Sequence, residues 1–579
     1  MKKLLTLIAT LMPLMALAQS LNVSVDKAGT LAEQLPDSIR FKIAELKVTG
    51  PLNGADLKLL SQIVTRTKTN KKIADERLVT SIDLSEAVIT EGKEGQKTEA
   101  NVLPAGLFSG AKSLVRAILP KGTLTIGHNC FDNCEELAEV EMPETVTTIG
   151  YNAFSDCKSL AALTLPSSLR TIEHDAFEEC TALAAIELPD SLTTLGANAF
   201  NGCFSLQKVT IAGNIGSIAT ATFMNCESLS EISLPESIKA VGSNAFRGCK
   251  MLEEITLPDE LDEIGNSAFE KCRNLKRIGI SKVGKIGSNA FEECSSLEQL
   301  ELEGITKMGN GAFARCLALT SVSLQGTLAE LGIETFSECG SLESVTLPGS
   351  LKEIAHRAFK DCKSLPEVNL PASLTRLENS VFENCASLRH ITIPNMVKTM
   401  GSGIFENCTS LDSVQINGFV SVIESDAFRK CHSLRSISFP VSVKKIGSNA
   451  FEDCSALTHI SLPVTLLQIG TAAFRRCVQL ASLVVPAATR EIDSDAFSEC
   501  SLLATVELPV ALKSLGGSAF SKCVSLREVR VNAPVPPKMS KSTFKGVVMQ
   551  ACKFLIPRGT AHLYKQDKQW QKISQLIEH

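Results

Sequence analysis

The sequence predicts a β-rich repeat solenoid, capped at both ends, with short strands recurring on successive coils of about 23 residues. Three observations predict it. Twenty of the 25 phenylalanines keep one metre: 23 residues apart from Phe108 to Phe269, two steps of 22 to Phe291 and Phe313, 23 again through Phe520, and 24 to Phe544. Around each runs an approximate I-G-x-x-A-F-x-x-C-x-x-L-x-x-V-x-L-P, as in IGSNAFEDCSALTHISLP from Ile446 to Pro463. Both ends depart from this pattern, as terminal coils must where an outer face meets water.

Residues 1–18 read as a secretory leader. Lys2 and Lys3 supply the charged start, Leu4 to about Met15 the apolar run, and Ala16-Leu17-Ala18 the small-residue cleavage site, so the mature chain is expected to begin at Gln19. The apolar run is shorter than the ~20 residues a membrane span needs. No cysteine follows the cleavage site to accept lipid, and no later segment is apolar enough to cross a bilayer, so no integral membrane segment is expected in the mature chain. The protein is expected to be exported: extracellular, on the cell surface or periplasmic.

Residues 19–100 read as an N-terminal cap. LKVTGPLNGADLKLL (Leu46 to Leu60) and LVTSIDLSEAVI (Leu78 to Ile89) look like strand–turn–helix elements, and Glu91 to Asn101 like a polar loop. Residues 101–533 form the solenoid proper. In each repeat L-x-x-V-x-L alternates at period two and reads as a strand. Proline, which cannot donate to a ladder, closes it in thirteen copies. The following S-L-x-x-I-G reads as a second short extended piece ending in a glycine turn. Residues 534–579 complete a last repeat and cap: Ala533 to Pro537 is a rigid break, and Tyr564, Trp570, Ile573 and Ile577 are expected along the apolar side of a closing helix.

No repeat can bury its own apolar side chains, so stacking must place Phe on Phe, Leu on Leu and Cys on Cys. Eighteen of the 20 cysteines stand three residues after a repeat Phe, from Cys134 to Cys523. On adjacent rungs their Cβ atoms lie about 4.8 Å apart and parallel, whereas a disulfide needs about 3.5–4.5 Å with the two converging. They read as small buried hydrophobes rather than bridges. Cys130 and Cys552 lie off this ladder; each reads as a partly buried thiol, with exposure and intermolecular linkage the alternative.

The chain carries 58 basic and 63 acidic residues, a formal charge of −5, and no basic stripe for nucleic acid. A parallel thiol ladder cannot converge on zinc, and buried thiols make poor nucleophiles. The eight histidines do not all occupy one common repeat offset, although His390 and His459 both precede the strand's β-branched position. Glu178-Glu179 and Glu292-Glu293 sit on an outer turn, not facing one another across a cleft as glycosidase carboxylates do. No H-E-x-x-H, G-x-S-x-G or phosphate-binding loop occurs. The expectation is no enzyme and no cofactor, with no catalytic, cofactor-binding or metal residues, and the binding residues left open.

A period between 20 and 29 with leucines at these offsets marks a leucine-rich repeat. The period, the A-F-x-x-C-x-x-L core and the terminal P-x-G-x-x-x-x-Y…W segment resemble the BspA-like leucine-rich-repeat family of bacterial secreted and surface proteins. The resemblance spans nearly all of the mature chain and implies adhesion, through binding of extracellular or surface proteins without catalysis. The expected outward strip runs Glu141, Thr164, Glu187, Thr210, Ser233, Thr256 and onward to Glu507 and Arg530, hydroxyl-rich and without an aromatic. Glu253-Glu254 followed by Lys276-Arg277 one repeat later suggests that charge varies along it. Glycan or cell-envelope binding and a structural assembly role are the competing readings; the strip offers no ring platform for a sugar.

The cysteine reading predicts that the denatured, unreduced protein titrates close to 20 thiols. Fewer than about sixteen would mean that bridges form despite the ladder geometry.

Overall fold

The structure, a computed structural model, describes residues 20–40, 42–66 and 78–579; the leader assigned to residues 1–18 lies outside the described residues. The chain is a parallel β-solenoid and divides into two compact units, residues 1–280 and 281–579.

The first unit opens with Ser20–Ser24 paired parallel to Glu45–Leu52, followed in the same sheet by Ser81–Asp83, Arg116–Ile118 and Glu139–Glu141. The helix Gly54–Val64 starts at a reciprocal cap. Asn53 Oδ1 accepts from the Ala55 and Asp56 N–H groups, and the Asp56 carboxylate accepts from the Asn53 N–H at 3.0 Å. Asp56 also accepts from the N–H groups of Gly29 and Leu31, tying the preceding segment to the helix start. Leu57, Leu60, Ile63 and Val64 are buried beneath it, so the strand–turn–helix expected over Leu46–Leu60 forms. Leu78–Ile89 differs: it holds two three-residue strands, Ser81–Asp83 and Ala87–Ile89, with no helix. The Glu86 carbonyl accepts from the Gly50 N–H, and Ala87–Ile89 pairs with Gly50–Leu52, which leaves no room for a turn of helix.

Each coil then repeats one path. A strand of three or four residues pairs with its equivalent 23 residues on, for example Ala185↔Lys208 through Leu188↔Ile211. A second ladder of two-residue strands runs beside it, Val102–Leu103, Thr125–Ile126, Thr148–Ile149, Thr171–Ile172 and Thr194–Leu195. Between the ladders lies the Phe turn. Residues two before and two after Phe adopt the left-handed region, as at Asn152 (φ 52°) and Asp156 (φ 57°) around Phe154. That conformation costs about 1–2 kcal/mol per residue, least for Asn, Asp and Gly. In return, N–H groups two residues apart all point along the stack: Asn152 donates to the His174 carbonyl, Phe154 to Ala176 and Asp156 to Glu178, at 2.8–3.2 Å.

Inside this frame the Phe rings stack. From Phe108 to Phe269 successive centroids lie 5.1–5.6 Å apart, and every ring is fully buried. The cysteines are free thiols with no exposed surface. On the ladder of this unit Cys Sγ donates to the carbonyl of the preceding coil's Phe: Cys134 to Phe108, and so on to Cys272 and Phe246, at 3.0–3.3 Å.

The second unit repeats this construction. Phe291 to Phe544 stack at 5.0–5.6 Å, and thiols from Cys316 to Cys523 donate to Phe carbonyls at 3.0–3.3 Å. In two coils without the closing proline the strand runs on through the corner: Gln299–Ile305, in a coil one residue short, has seven residues and Ser321–Gly326 six, with a register shift between Leu302 and Ile305. Pro366 does the reverse. It sits where other coils donate an N–H to the previous strand, and its coil keeps only a bridge, Glu367↔His390. The coils around Thr164 and Ser461 also lack regular strand pairing.

The C-terminal end is not the single closing helix expected. Ala561–Gln566 is helical, Trp570–Lys572 is a 3-10 turn, and Leu576–Glu578 is a strand paired with Lys553–Ile556, which leaves Ile577 exposed. Asp567, in extended conformation, accepts from the N–H groups of Gln569 and Trp570 and so ends one helical turn while starting the next. Tyr564 and Trp570 are fully buried and edge-packed at 5.1 Å. The Tyr564 hydroxyl donates to the Ala533 carbonyl and Trp570 Nε1 to that of Pro537, each at 2.7 Å, satisfying the backbone of the proline-rich break.

Two outcomes follow. Phe405→Ala, between Phe382 and Phe428 at 5.5 and 5.4 Å, should cost about 3–5 kcal/mol. Hydrogen exchange should show the lost protection confined to neighbouring coils; uniform loss across the unit would contradict nearest-neighbour coupling. The second concerns pH. Burial pushes the thiols up, Cys134, Cys272, Cys339 and Cys523 to about 12 from 9.0. Above the ordinary thiol range the unfolded chain ionises while the folded one cannot, so stability falls as pH rises by about 1.4 kcal/mol per unit per thiol. The thermal midpoint should drop steeply between about pH 9 and 11, and less steeply when Cys203, Cys226, Cys249 and Cys272 are replaced by Ala.

Candidate binding surfaces

The outward strip lies where its alternation places it. In the first unit Glu187 pairs with Thr210 and Thr210 with Ser233; in the second Thr392 pairs with Gln415, Gln415 with Ser438, and Glu507 with Arg530. Most of these side chains are exposed beside buried neighbours. The charge variation expected beside the strip is largely cancelled. Lys276 Nζ lies 2.8 Å from Glu253, and Arg277 pairs with Glu254, so opposite charges one repeat apart neutralise each other. The same spacing pairs Lys112 with Glu135, and Arg429 with both Glu406 and Glu452. Where both partners are exposed, as in Lys276–Glu253 and Lys112–Glu135, such pairs contribute at most about 1 kcal/mol each.

The titratable candidates are dispersed. His390 lines a shallow cleft of about 360 Å³ with Glu367, Asn369, Thr392 and Asn395, beside the coil that Pro366 interrupts. His459 is exposed in another coil, 3.0 Å from Thr458 Oγ1. Glu178 accepts from Asn201 Nδ2 at 2.8 Å, and Glu292 pairs with Arg315. Both acidic pairs therefore engage the neighbouring coil. Cys130 and Cys552 are fully buried, which removes the exposed-thiol alternative. Burial raises Cys552 to about 11, and the nearby Arg527 opposes this. Among the described residues no group of three or more His, Cys, Asp or Glu is placed to hold a metal ion, and no helix is long and apolar enough to cross a membrane.

The second unit presents a surface that strand periodicity did not reveal. The corner just after the strand carries Met396, Phe419, Val441, Val464 and Val510, exposed by 55%, 74%, 73%, 74% and 57%. They occupy one or other of the two positions that lead into the buried residue opening the next extended piece, as in Pro440-Val441-Ser442-Val443. In the first unit the same corner carries Lys121, Glu144, Asp190, Glu236 and Asp259. An apolar row of this length along one edge is unusual for surface exposed only to water. Val484, on the outward strip and 62% exposed, lies on a coil between those of Val464 and Val510. The signal was present in the sequence, but the strand pattern ends at its proline and the corner belongs to no periodic face.

Comparison with known proteins gives one family and several structures. The family described as BspA type leucine rich repeat region (6 copies) matches residues 101–230, 216–340, 329–455 and 421–549. A leucine-rich repeat protein from Bacteroides ovatus is similar at 26% identity, over 69% of this chain and 92% of its own, with a TM-score of 0.49. A leucine rich cell surface protein from Faecalibacterium prausnitzii aligns at 24% identity over 56% and 87%, TM-score 0.33. A leucine-rich repeat protein from T. pallidum aligns at 33% over 28% and 76%, TM-score 0.26. No curated protein matches the sequence.

Proposed function

The chain belongs to the BspA-type leucine-rich-repeat family, and we propose that it is an exported, non-catalytic recognition solenoid that binds extracellular or surface proteins. The observation that carries this reading is the exposed apolar edge at Met396, Phe419, Val441, Val464 and Val510. Its residues sit on a rigid repeating frame, so little ordering is needed on binding. Beside it, the hydroxyl-bearing strip Thr392, Ser438 and Ser461 supplies hydrogen-bonding groups at the rim. Apolar contacts at the centre and polar ones around them are the composition of a protein interface. Export is supported by the charged start, apolar run and Ala16-Leu17-Ala18 of residues 1–18. A catalytic role would need a converged set of activated groups, whereas His390, His459 and the acidic pairs Glu178-Glu179 and Glu292-Glu293 are separated along the coils.

The experiment is a pull-down of surface and matrix proteins with the wild-type chain and with a Phe419→Ser, Val441→Ser, Val464→Ser variant. Exposed replacements should each alter stability by less than about 0.5 kcal/mol, so thermal unfolding serves as the control for folding. The variant is expected to lose a partner that the wild type enriches. Equal enrichment by both would remove this edge from the interface.

A further inference from the structure

We infer that the first unit carries a saccharide-binding subsite at the open end of an aromatic ring stack, separate from the apolar edge of the second unit. Three residues before the Phe of each coil, most repeats of this unit carry a small or polar residue: Ala105, Ala197, Thr220, Ser243 and Asn266. Three consecutive coils instead carry His128, Tyr151 and His174. Their rings stack, His128 on Tyr151 at 4.1 Å and 23°, Tyr151 on His174 at 5.1 Å and 5°. With Tyr564 and Trp570 buried in the C-terminal cap, Tyr151 is the tyrosine or tryptophan that reaches the surface. The stack is held in place: Glu173 Oε2 accepts from the Tyr151 N–H at 2.9 Å and lies 3.2 Å from His128 Nδ1, and His174 Nδ1 lies 2.6 Å from Asp175.

The stack stops at Ala105, one coil before His128, whose side chain is 46% exposed. A cleft of about 400 Å³ opens there, lined by Gln96, Glu99, Ala105, Thr125, His128 and Glu173 among others. One wall is formed by residues 96–99 of the 91–101 loop, held in place at Gln96. Gln96 Nε2 donates to the Ala105 carbonyl at 3.2 Å. The Gln96 carbonyl packs so closely on Gly54 that a Cβ there would stand 1.6 Å from it.

One flat ring face bordered by hydroxyl, amide and carboxylate groups suits a pyranose. The C–H face of the sugar would continue the stack over His128, while its ring hydroxyls meet Gln96, Glu99, Thr125 and Glu173. An aromatic side chain would fit the same slot but would strip water from those polar groups without replacing their hydrogen bonds. The chemistry therefore favours a neutral sugar ring over a hydrophobic peptide residue.

Saturation-transfer NMR on the full mature chain tests this, with methyl glycosides of glucose, galactose, mannose and N-acetylglucosamine as probes and phenol as the competing aromatic. At least one glycoside should receive saturation on one ring face. His128→Ala should weaken it about three- to tenfold, the worth of one ring stack. Ala105→Phe, which extends the stack into the cleft, should abolish it, and Val510→Ser in the other unit should leave it unchanged. If Ala105→Phe does not fold, His128→Ala decides alone. Failure of every glycoside, undiminished binding in His128→Ala, or preferential binding of phenol would overturn the proposal. A loss of partner proteins through the Phe419 edge would leave it standing.

Discussion

Within each unit successive Phe rings sit 5.0–5.6 Å apart, a distance the rings do not set for themselves. It follows from the backbone, where N–H groups flanking each Phe donate to the next coil at about 2.8 Å while the strand N–H groups donate to the previous one. From Phe108 to Phe520 the two left-handed residues around each Phe direct alternate N–H groups of the Phe turn toward the next coil. Their conformational cost is offset by cross-coil hydrogen bonds and by complete burial of a large ring.

The cysteines belong to the same arrangement. A side chain three residues after Phe faces the Phe carbonyl of the coil before, an acceptor that the backbone ladder leaves with spare capacity. A small apolar residue with one weak donor fits that position, and serine would have to bury a stronger polar group in the same space. Thiol chemistry is secondary here to shape and one hydrogen bond. Because burial disfavours the thiolate, the ladder is chemically quiet at neutral pH.

A uniform interior leaves function to positions that vary without disturbing the stack. Corner residues after the strand are one such set, charged at Lys121, Glu144, Asp190, Glu236 and Asp259 of the first unit and apolar at Met396, Phe419, Val441, Val464 and Val510 of the second. Residues three before Phe are another, where His128, Tyr151 and His174 form a ring stack on three consecutive coils of the first unit. Both sets project outward while the Phe, Cys and Leu of their coils stay buried, so they can change chemistry at little cost to the fold. The two surfaces lie in different units and present different chemistry, one an extended apolar row and the other a polar slot with a single ring floor.

The coil, its two ladders and its buried Phe and Cys were legible in the sequence because stacking turns a period in the chain into a line in space. The strand–turn–helix cap at Leu46–Leu60 was legible too, since Asn53 and Asp56 state their own helix start. The left-handed pair was written as Asn, Asp and Gly at fixed offsets, yet Glu, Lys and Arg at other copies, such as Lys271 and Arg476, blurred it. Tertiary structure alone decided the rest. Asp567 split the expected closing helix, Pro366 cut a strand to a bridge, and Glu253 met Lys276 across a coil instead of leaving its charge exposed. The stack of His128, Tyr151 and His174 becomes visible only when residues 23 apart are laid over one another. A repeat fixes which residues share a line; what lies beside that line, and whether it is covered, depends on contacts between segments that no period connects.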